Sequence, residues 1–549
     1  MRALGGLVAR PPGLPLASSG LAVALVAAAG LVAYPLLSLF ARAAGGGGEP
    51  FQRAFSGPVL LAVLHTLWSS GLATALAVAL GAALAIATER SRAWGKSWLR
   101  LGVSLPILIP PFISAVSWTQ AYGCAGLLDK LLHLSWAGLF GVQGTVALLA
   151  LQSLPLVYLP LAAAFGSQST LDLERAARAS GAGAVATLRT ITLPLARPYL
   201  LAGAALAYIV SASDFGVPAV VGLPGRFSTV TTEIYRDMAF ATNPTSFATV
   251  IVLAAFLVAL ALVVLLCLRQ PVLDAVLSVG AGRRGVPAPG GFELARLLVT
   301  LAVLTWIALV SLFPLAAMLL VALVRAYGLP LAAENLTLLH VTQALQGESA
   351  AALARSCLLA VAAATAVTCL GVAVALGARR GLLGRSAELV VTLPYAIPGS
   401  ALAAAVILAF NRWLYGTLAI ILLAYVGRFW ALGSRPIAAA LSQLGPDPVR
   451  AAQVCGARAW RSFLTGAWPA LQPAAAAAWL LVFLTAIHEL TVSSLLYTPA
   501  TQTVAVVVLN AEQGGDVART AAISVLLTGI VLVVAVPAVG LRARVGRSV

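Results

Sequence analysis

About twelve apolar runs, each of roughly 20 residues or more, recur along this chain, and they limit its fold more tightly than anything else in it. Away from water a run of that length closes its backbone hydrogen bonds only as a helix. In the first half the runs lie near 18–41, 60–88, 101–122, 140–166, 196–222 and 246–268. In the second they lie near 294–325, 352–378, 387–411, 416–440, 470–497 and 519–541. Only 9% of the 549 residues are charged and 61% are hydrophobic, whereas a soluble chain carries about 25% charge. The fold class is therefore an all-α polytopic membrane protein.

The formal net charge of +17 invites a nucleic-acid reading. The charges sit singly or in small groups between the apolar runs, with no basic tail and no aromatic-interleaved basic groove, which argues against it. With the N-terminus inside, 24 of the 34 Lys and Arg fall in cytoplasmic segments and 9 in external loops and their flanks, while Arg428 lies within a span. That bias places both termini in the cytoplasm. Arg2 and Arg10 precede the first run, which is too long for a signal-peptide core and is expected to be a retained helix. The cysteines (Cys124, Cys267, Cys357, Cys369 and Cys455) have no metal-ligand or CxxC spacing. The four histidines, including His488, read as packing or solvated residues; no metal site is expected.

The chain repeats itself. Glu174-Arg175-Ala176-Ala177-Arg178-Ala179-Ser180-Gly181 returns 275 positions later as Val449-Arg450-Ala451-Ala452-Gln453-Val454-Cys455-Gly456. The same shift carries Pro194 onto Pro469, Pro198 onto Pro473 and Asp214 onto Glu489. Gly81 matches Gly371 at a shift of 290, and Leu105-Pro106 with Pro110 match Leu393-Pro394 with Pro398 at 288. Six spans per half put the two repeats in the same orientation, about an axis along the membrane normal. The expected organisation is a first half over 1–269, a Gly/Pro-rich cytoplasmic linker over 270–293 holding Arg283-Arg284, and a second half over 294–549.

The repeated polar segment reads Ala176-Ala177, three residues, Gly181, nine residues, Ile191-x-Leu193-Pro194. This spacing resembles the EAA loop of binding-protein-dependent ABC importer permeases, whose form is E-A-A, three residues, G, nine residues, I-x-L-P. The family's Glu position is Arg175 here, with Glu174 one residue earlier; in the second copy it is Arg450, and Gly466 and Trp468 stand for Ile and Leu before Pro469. The resemblance implies a type I ABC importer fold of about 12 spans and coupling loops at 172–194 and 447–469. The coupling residues are then Glu174, Arg175, Ala176, Ala177, Gly181, Ile191, Leu193 and Pro194, with Arg450, Ala451, Ala452, Gly456 and Pro469. It implies two copies of a cytoplasmic ABC ATPase, an extracytoplasmic solute-binding protein, and a bacterial inner-membrane location. No G-x-x-x-x-G-K-[ST] loop is present, so the chain is expected to bind no cofactor, to be no enzyme, and to leave ATP and Mg to its partners.

Asp214 and Glu489 fall at matching places in the fifth run of each half. A carboxylate in hydrocarbon costs about 2.5–3.5 kcal/mol, so such groups face a bundle interior or a wet cavity, or satisfy a freed backbone group near a helix end. A continuous fifth helix sets Asp214 about 30 Å beyond Pro194, toward the outer end. Ser211, Ser213, His488 and Ser493 are candidates to line a translocation path beside the two carboxylates. The wording Ser213-Asp214-Phe215-Gly216-Val217-Pro218 and Glu489-Leu490-Thr491-Val492-Ser493 resembles the fused permeases of ferric-iron importers. Ferric iron is the expected cargo, with thiamine, phosphonate, sulfate and polyamine as alternatives. An ion-coupled secondary transporter using the two acids is the rival class.

Overall fold

In the computed structural model the described residues are 22–23, 25–45, 48–91, 93–166, 168–240, 244–267, 293–329, 332–378, 397–444 and 447–545. The linker expected at 270–293 lies outside them up to its last residue, as do Arg2, Arg10, Leu393-Pro394 and the basic cluster Arg379, Arg380 and Arg385. Among the described residues there is no strand, and a single isolated bridge pairs Val324 with Leu336.

Ten helices among these residues are long and apolar enough to cross a membrane. They correspond to every expected run but the third of each half. In the first half that run is a pair, Lys96–Ile107 and Pro111–Leu132, bent by 99°. Pro106, Pro110 and Pro111 cause the bend, since none offers an N–H to the helix ladder. In the second half the described part of the run is the shorter helix Gly399–Leu414. The duplication is visible in the dihedrals here. Pro110 (φ −54, ψ 137) and Pro398 (φ −55, ψ 138) both precede the first turn, and their carbonyls accept the Ser114 and Leu402 N–H at 2.9 and 3.0 Å.

The described chain packs as two compact units, each drawing on both sequence halves. One comprises the described residues of Met1–Gly45, Ala352–Thr503 and Val533–Val549; the other comprises those of Gly46–Ala351 and Val504–Leu532. In the second of these, Gly57–Glu89 crosses Val142–Phe165 at Gly81, where a methyl would come within 3.3 Å of Val157. Gly203, from the fifth span, also faces Val157, and a methyl there would lie 2.9 Å from the Val157 Cα. The other unit repeats the device at Gly371, where a methyl would come within 3.0 Å of the backbone of Gly433 and Ser434. Small residues permit such approach where no hydrophobic force favours helix–helix over helix–lipid contact. Gly371→Leu should therefore destabilise the folded chain by about 3 kcal/mol through overpacking. The check is the fraction of monodisperse protein surviving mild heating in detergent; survival equal to the parent would contradict the tight crossing.

The opening helices are exchanged between the halves. Leu25–Gly45 packs within the unit built mainly from the second half, with Val32 and Ala28 in a cluster with Val374 and Trp430, and Tyr34 edge-on to Phe410. Glu293–Leu323 packs in the unit that holds residues 57–266, with Val303 and Ile307 in its core. Both opening helices carry a π-helical turn just before a proline, Ala29–Ala33 before Tyr34-Pro35 and Ala308–Leu312 before Phe313-Pro314. Pro314 has no N–H for the carbonyls behind it, and those oxygens find side chains instead. Tyr122 Oη donates to the Leu309 carbonyl at 2.6 Å, and Trp118 Nε1 to that of Val310 at 3.2 Å. Such re-pairing is what lets proline persist in a spanning helix.

Candidate functional site

The repeated polar segment forms the same short helix twice, Gln168–Ala179 and Asp447–Val454. Each ends the same way. In the first copy the N–H of Ala182 reaches the Ala177 carbonyl and that of Gly181 the Arg178 carbonyl, both at 3.0 Å. In the second, Ala457 N–H reaches the Ala452 carbonyl at 3.0 Å and Gly456 N–H the Gln453 carbonyl at 2.9 Å. This is a Schellman turn, which needs a left-handed residue at its centre. Gly181 and Gly456 supply it, with φ of +85 and +81. A methyl on either would meet nothing within 4 Å, so within this chain the glycine is required by its dihedral angle, not by crowding.

Beyond the turn each copy runs through a four-residue helix, Ala184–Thr187 or Ala459–Ser462, into a π-helical turn and the fifth span. The π turns are Leu188–Thr192 and Phe463–Ala467, each followed by a residue and then Pro194 or Pro469. The missing proline N–H again forces the wider turn.

Arg175, Ala176 and Gly181 are exposed, as are Arg450, Ala451 and Gly456; Leu193, Pro194 and Pro469 are exposed, and Ala177, Ala452 and Ile191 half-buried. Arg175 pairs with Asp172 at 3.1 Å on the surface. Large apolar side chains stand exposed on these otherwise polar segments: Leu173 and Val185 in the first, Val454 and Trp460 in the second, with Val454 87% exposed. They were not singled out in the sequence, although Trp460 between two arginines is visible there.

Glu174 turns inward and is only 2% exposed. Its Oε1 accepts Arg90 Nη2 at 2.6 Å and Thr192 Oγ1 at 2.5 Å, and Arg178 stands 3.5 Å from Oε2. Arg90 also donates from Nη1 to the Phe165 carbonyl at 2.6 Å and lies over the Phe165 ring. Burial lowers the Arg90 pKa and the Glu174 charge opposes that; an arginine stays cationic at neutral pH regardless. Next to it Glu89, also buried, takes both oxygens to Arg100. The Gly57–Glu89 helix has 33 residues, about 50 Å at 1.5 Å per residue, against a hydrocarbon core of about 30 Å. The helix is therefore longer than the apolar layer is thick.

The second copy replaces this polar anchor. Glu174 becomes Val449 and Thr192 becomes Ala467, both buried in one cluster with Phe463, Leu471, Ile437 and Leu441. Ile191 becomes Gly466, where a Cβ would lie 2.7 Å from the Pro448 carbonyl oxygen and 3.0 Å from Val449 Cα. The departure from the motif is thus the space that the second helix's backbone occupies.

The fifth runs are not continuous helices through Asp214 and Glu489, which corrects the expected spans 196–222 and 470–497. The first helix ends at Ser213, and Asp214 is extended (φ −71, ψ 132). The second ends at Ala486, with a short helix restarting at Ser493. The physical reason is the carboxylates themselves. Asp214 Oδ1 accepts the Val217 N–H at 2.8 Å and Glu489 Oε1 the Val492 N–H at 3.0 Å. Each caps the next turn three residues on, the usual work of an acidic residue at a helix start. Thr231 Oγ1 donates to the Asp214 carbonyl, and Tyr425 Oη donates to that of Glu489 and is hydrogen-bonded with Ser493 Oγ. Glu489 is nearly buried and lies 3.6 Å from Arg428 Nη1. Gly399 makes room for that guanidinium, because a methyl there would fall on Nη1. Ser211 is buried, while Ser213 and His488 are half-buried. Arg428 and Tyr425 were missing from the sequence-based set, though a lone basic residue inside a span was the available signal. Among the described residues no group of three His, Cys, Asp or Glu could hold a metal ion.

Residues 75–270 and 367–549, well over half of the chain, match the family described as binding-protein-dependent transport system inner membrane component. The molybdenum transport system permease protein ModB of Escherichia coli (strain K12) is 32% identical over 146 residues, 26% of this chain and 63% of that protein. A Salmonella typhimurium permease assigned provisionally to 2-aminoethylphosphonate transport, PhnU, is 28% identical over 171 residues, 30% of this chain and 59% of that one. The Fe(3+)-transport system permease protein FbpB 2 of Haemophilus influenzae is 23% identical over 422 residues, 75% of this chain and 76% of its own. This chain thus spans under two thirds of the length of the first two relatives.

Proposed function

This chain belongs to the binding-protein-dependent transport system inner membrane components, with the family's domain once in each half, and from that membership we propose that it is the transmembrane permease of an ATP-driven importer. The observation that carries the reading is the twin Schellman-closed helix, held to its span by a π turn and a proline at equivalent places in both halves. Each is a rigid, polar-backed knob with exposed apolar side chains, suited to seat in a partner's groove. We assign the partners as two cytoplasmic ABC ATPases, which hold ATP and Mg, and an extracytoplasmic binding protein. This chain hydrolyses nothing itself. Both termini and both knobs lie on the cytoplasmic side, and the membrane is the bacterial inner membrane. Closure of the ATPases pulls the knobs together, and one half rocks against the other about a site that opens alternately outward and inward.

Ferric iron is the favoured cargo, supported by the FbpB 2 relative that aligns across both halves. Molybdenum is the second reading, favoured by the higher identity to ModB over a shorter stretch. The test reconstitutes the chain in vesicles with its ATPase and binding protein and offers ferric iron, molybdate and 2-aminoethylphosphonate in turn. Accumulation of one of them that needs internal ATP is the expected result. Uptake driven by a proton or sodium gradient with no ATPase present would instead establish the secondary carrier.

A further inference from the structure

The two knobs are built alike but fastened differently. Glu174 joins three segments at once: its own helix, the cytoplasmic end of the second span through Arg90, and the start of the fifth span through Thr192. Arg90 extends the tie to the end of the fourth span at the Phe165 carbonyl. At the two matching positions of the second copy, Val449 and Ala467 meet in a purely apolar cluster, and the backbone of Pro448-Val449 rests on Gly466. A buried, charge-assisted bond is geometrically specific and is lost when one partner is neutralised. An apolar seat is non-directional and indifferent to charge. Glu174 is shielded at 2% exposure and its oxygens are already taken, so it is not the group that meets the partner.

We propose that Glu174 is a positioning residue that acts through Arg90 and Thr192 to fasten the first coupling helix to the second, fourth and fifth spans, whereas the second coupling helix is fastened by apolar packing at Val449. The motor's movement then enters the two halves through unlike joints, and only the first depends on charge. The part concerning transmission rests on the importer reading; the part concerning fastening does not.

Two measurements on the full chain test it. Amide hydrogen exchange in nanodiscs, without any ATPase, compares the parent with Glu174→Gln and Arg90→Gln. Exchange across Gln168–Ala179 should rise at least tenfold in each variant, the double variant should match the singles, and Asp447–Val454 should not change. Equal exchange in parent and variants, or a rise in both helices together, would overturn the proposal. The second measurement is solute moved per ATP hydrolysed in the reconstituted complex. Glu174→Gln should still co-purify with the ATPase and hydrolyse ATP yet move at least tenfold less solute per ATP. A variant that melts at lower temperature with an unchanged ratio would make Glu174 merely structural and overturn the transmission claim. If the parent complex shows no ATP-driven uptake, the importer reading fails and transmission with it, while the exchange result still decides how the helix is fastened.

Discussion

Arg428→Ala is expected to lower the stability of the folded chain by about 3 kcal/mol, because it strands a buried carboxylate. Glu489 is nearly enclosed and has two partners, the Val492 N–H and, at 3.6 Å, the Arg428 guanidinium. With the cation gone, only the backbone bond is left to oppose the desolvation of the charge. The break between Ala486 and Ser493 then loses one of its contacts with the fourth span and keeps the Tyr425 bonds to the Glu489 carbonyl and Ser493. The double variant Arg428→Met with Glu489→Gln removes both charges at similar volume and should recover more than half of the loss, as neutral replacements of buried pairs do. Thermal unfolding followed by size-exclusion in detergent reads both. If the single and double variants unfold alike, the two side chains are not energetically coupled.

Gly181→Val together with Gly456→Val should cut ATP-driven uptake more than tenfold and leave the membrane bundle folded. An L-residue in the left-handed region costs about 1–2 kcal/mol, and a β-branched one sits at the upper end. Both helices would lose the turn that closes them, at φ of +85 and +81. Asparagine at both sites separates the causes, since it accepts this conformation better than other residues with a side chain. Retained uptake with asparagine and loss with valine would mark the dihedral angle as the requirement. Equal loss with both would mark close seating against the partner. Full activity of the valine variant would remove the glycines from the mechanism.

The spans and the twin loops were legible because both are written in local chemistry. Twenty apolar residues in a row have one outcome in lipid, and Ala-Ala-x-x-x-Gly places a helix and its stop on a fixed spacing. The same locality hid the rest. Asp214 and Glu489 lie in runs apolar enough to read as unbroken helix, and only their bonds to Val217 and Val492 show why the helix stops. Glu174 beside Ala-Ala reads as a surface acid, and its burial depends on Arg90, 84 positions away. Gly466 in the place of the motif's isoleucine has no local explanation, since the backbone it makes room for, at Pro448 and Val449, lies 17 or more positions earlier. The exchange of opening helices left no mark in the sequence, since hydropathy says that a helix spans but not whom it touches.

That exchange bears on how the protein is made. The helix Leu25–Gly45 has its neighbours at Val374, Phe410 and Trp430, more than 300 positions later in the chain. At about 5–20 residues per second those neighbours are synthesised on the order of tens of seconds later. In that interval the newborn helix sits in lipid or beside the insertion machinery, with its future contact face, including Ala28 and Val32, unclaimed. Biogenesis of this protein is therefore vulnerable while that helix waits, to whatever else in the bilayer docks on the open face first.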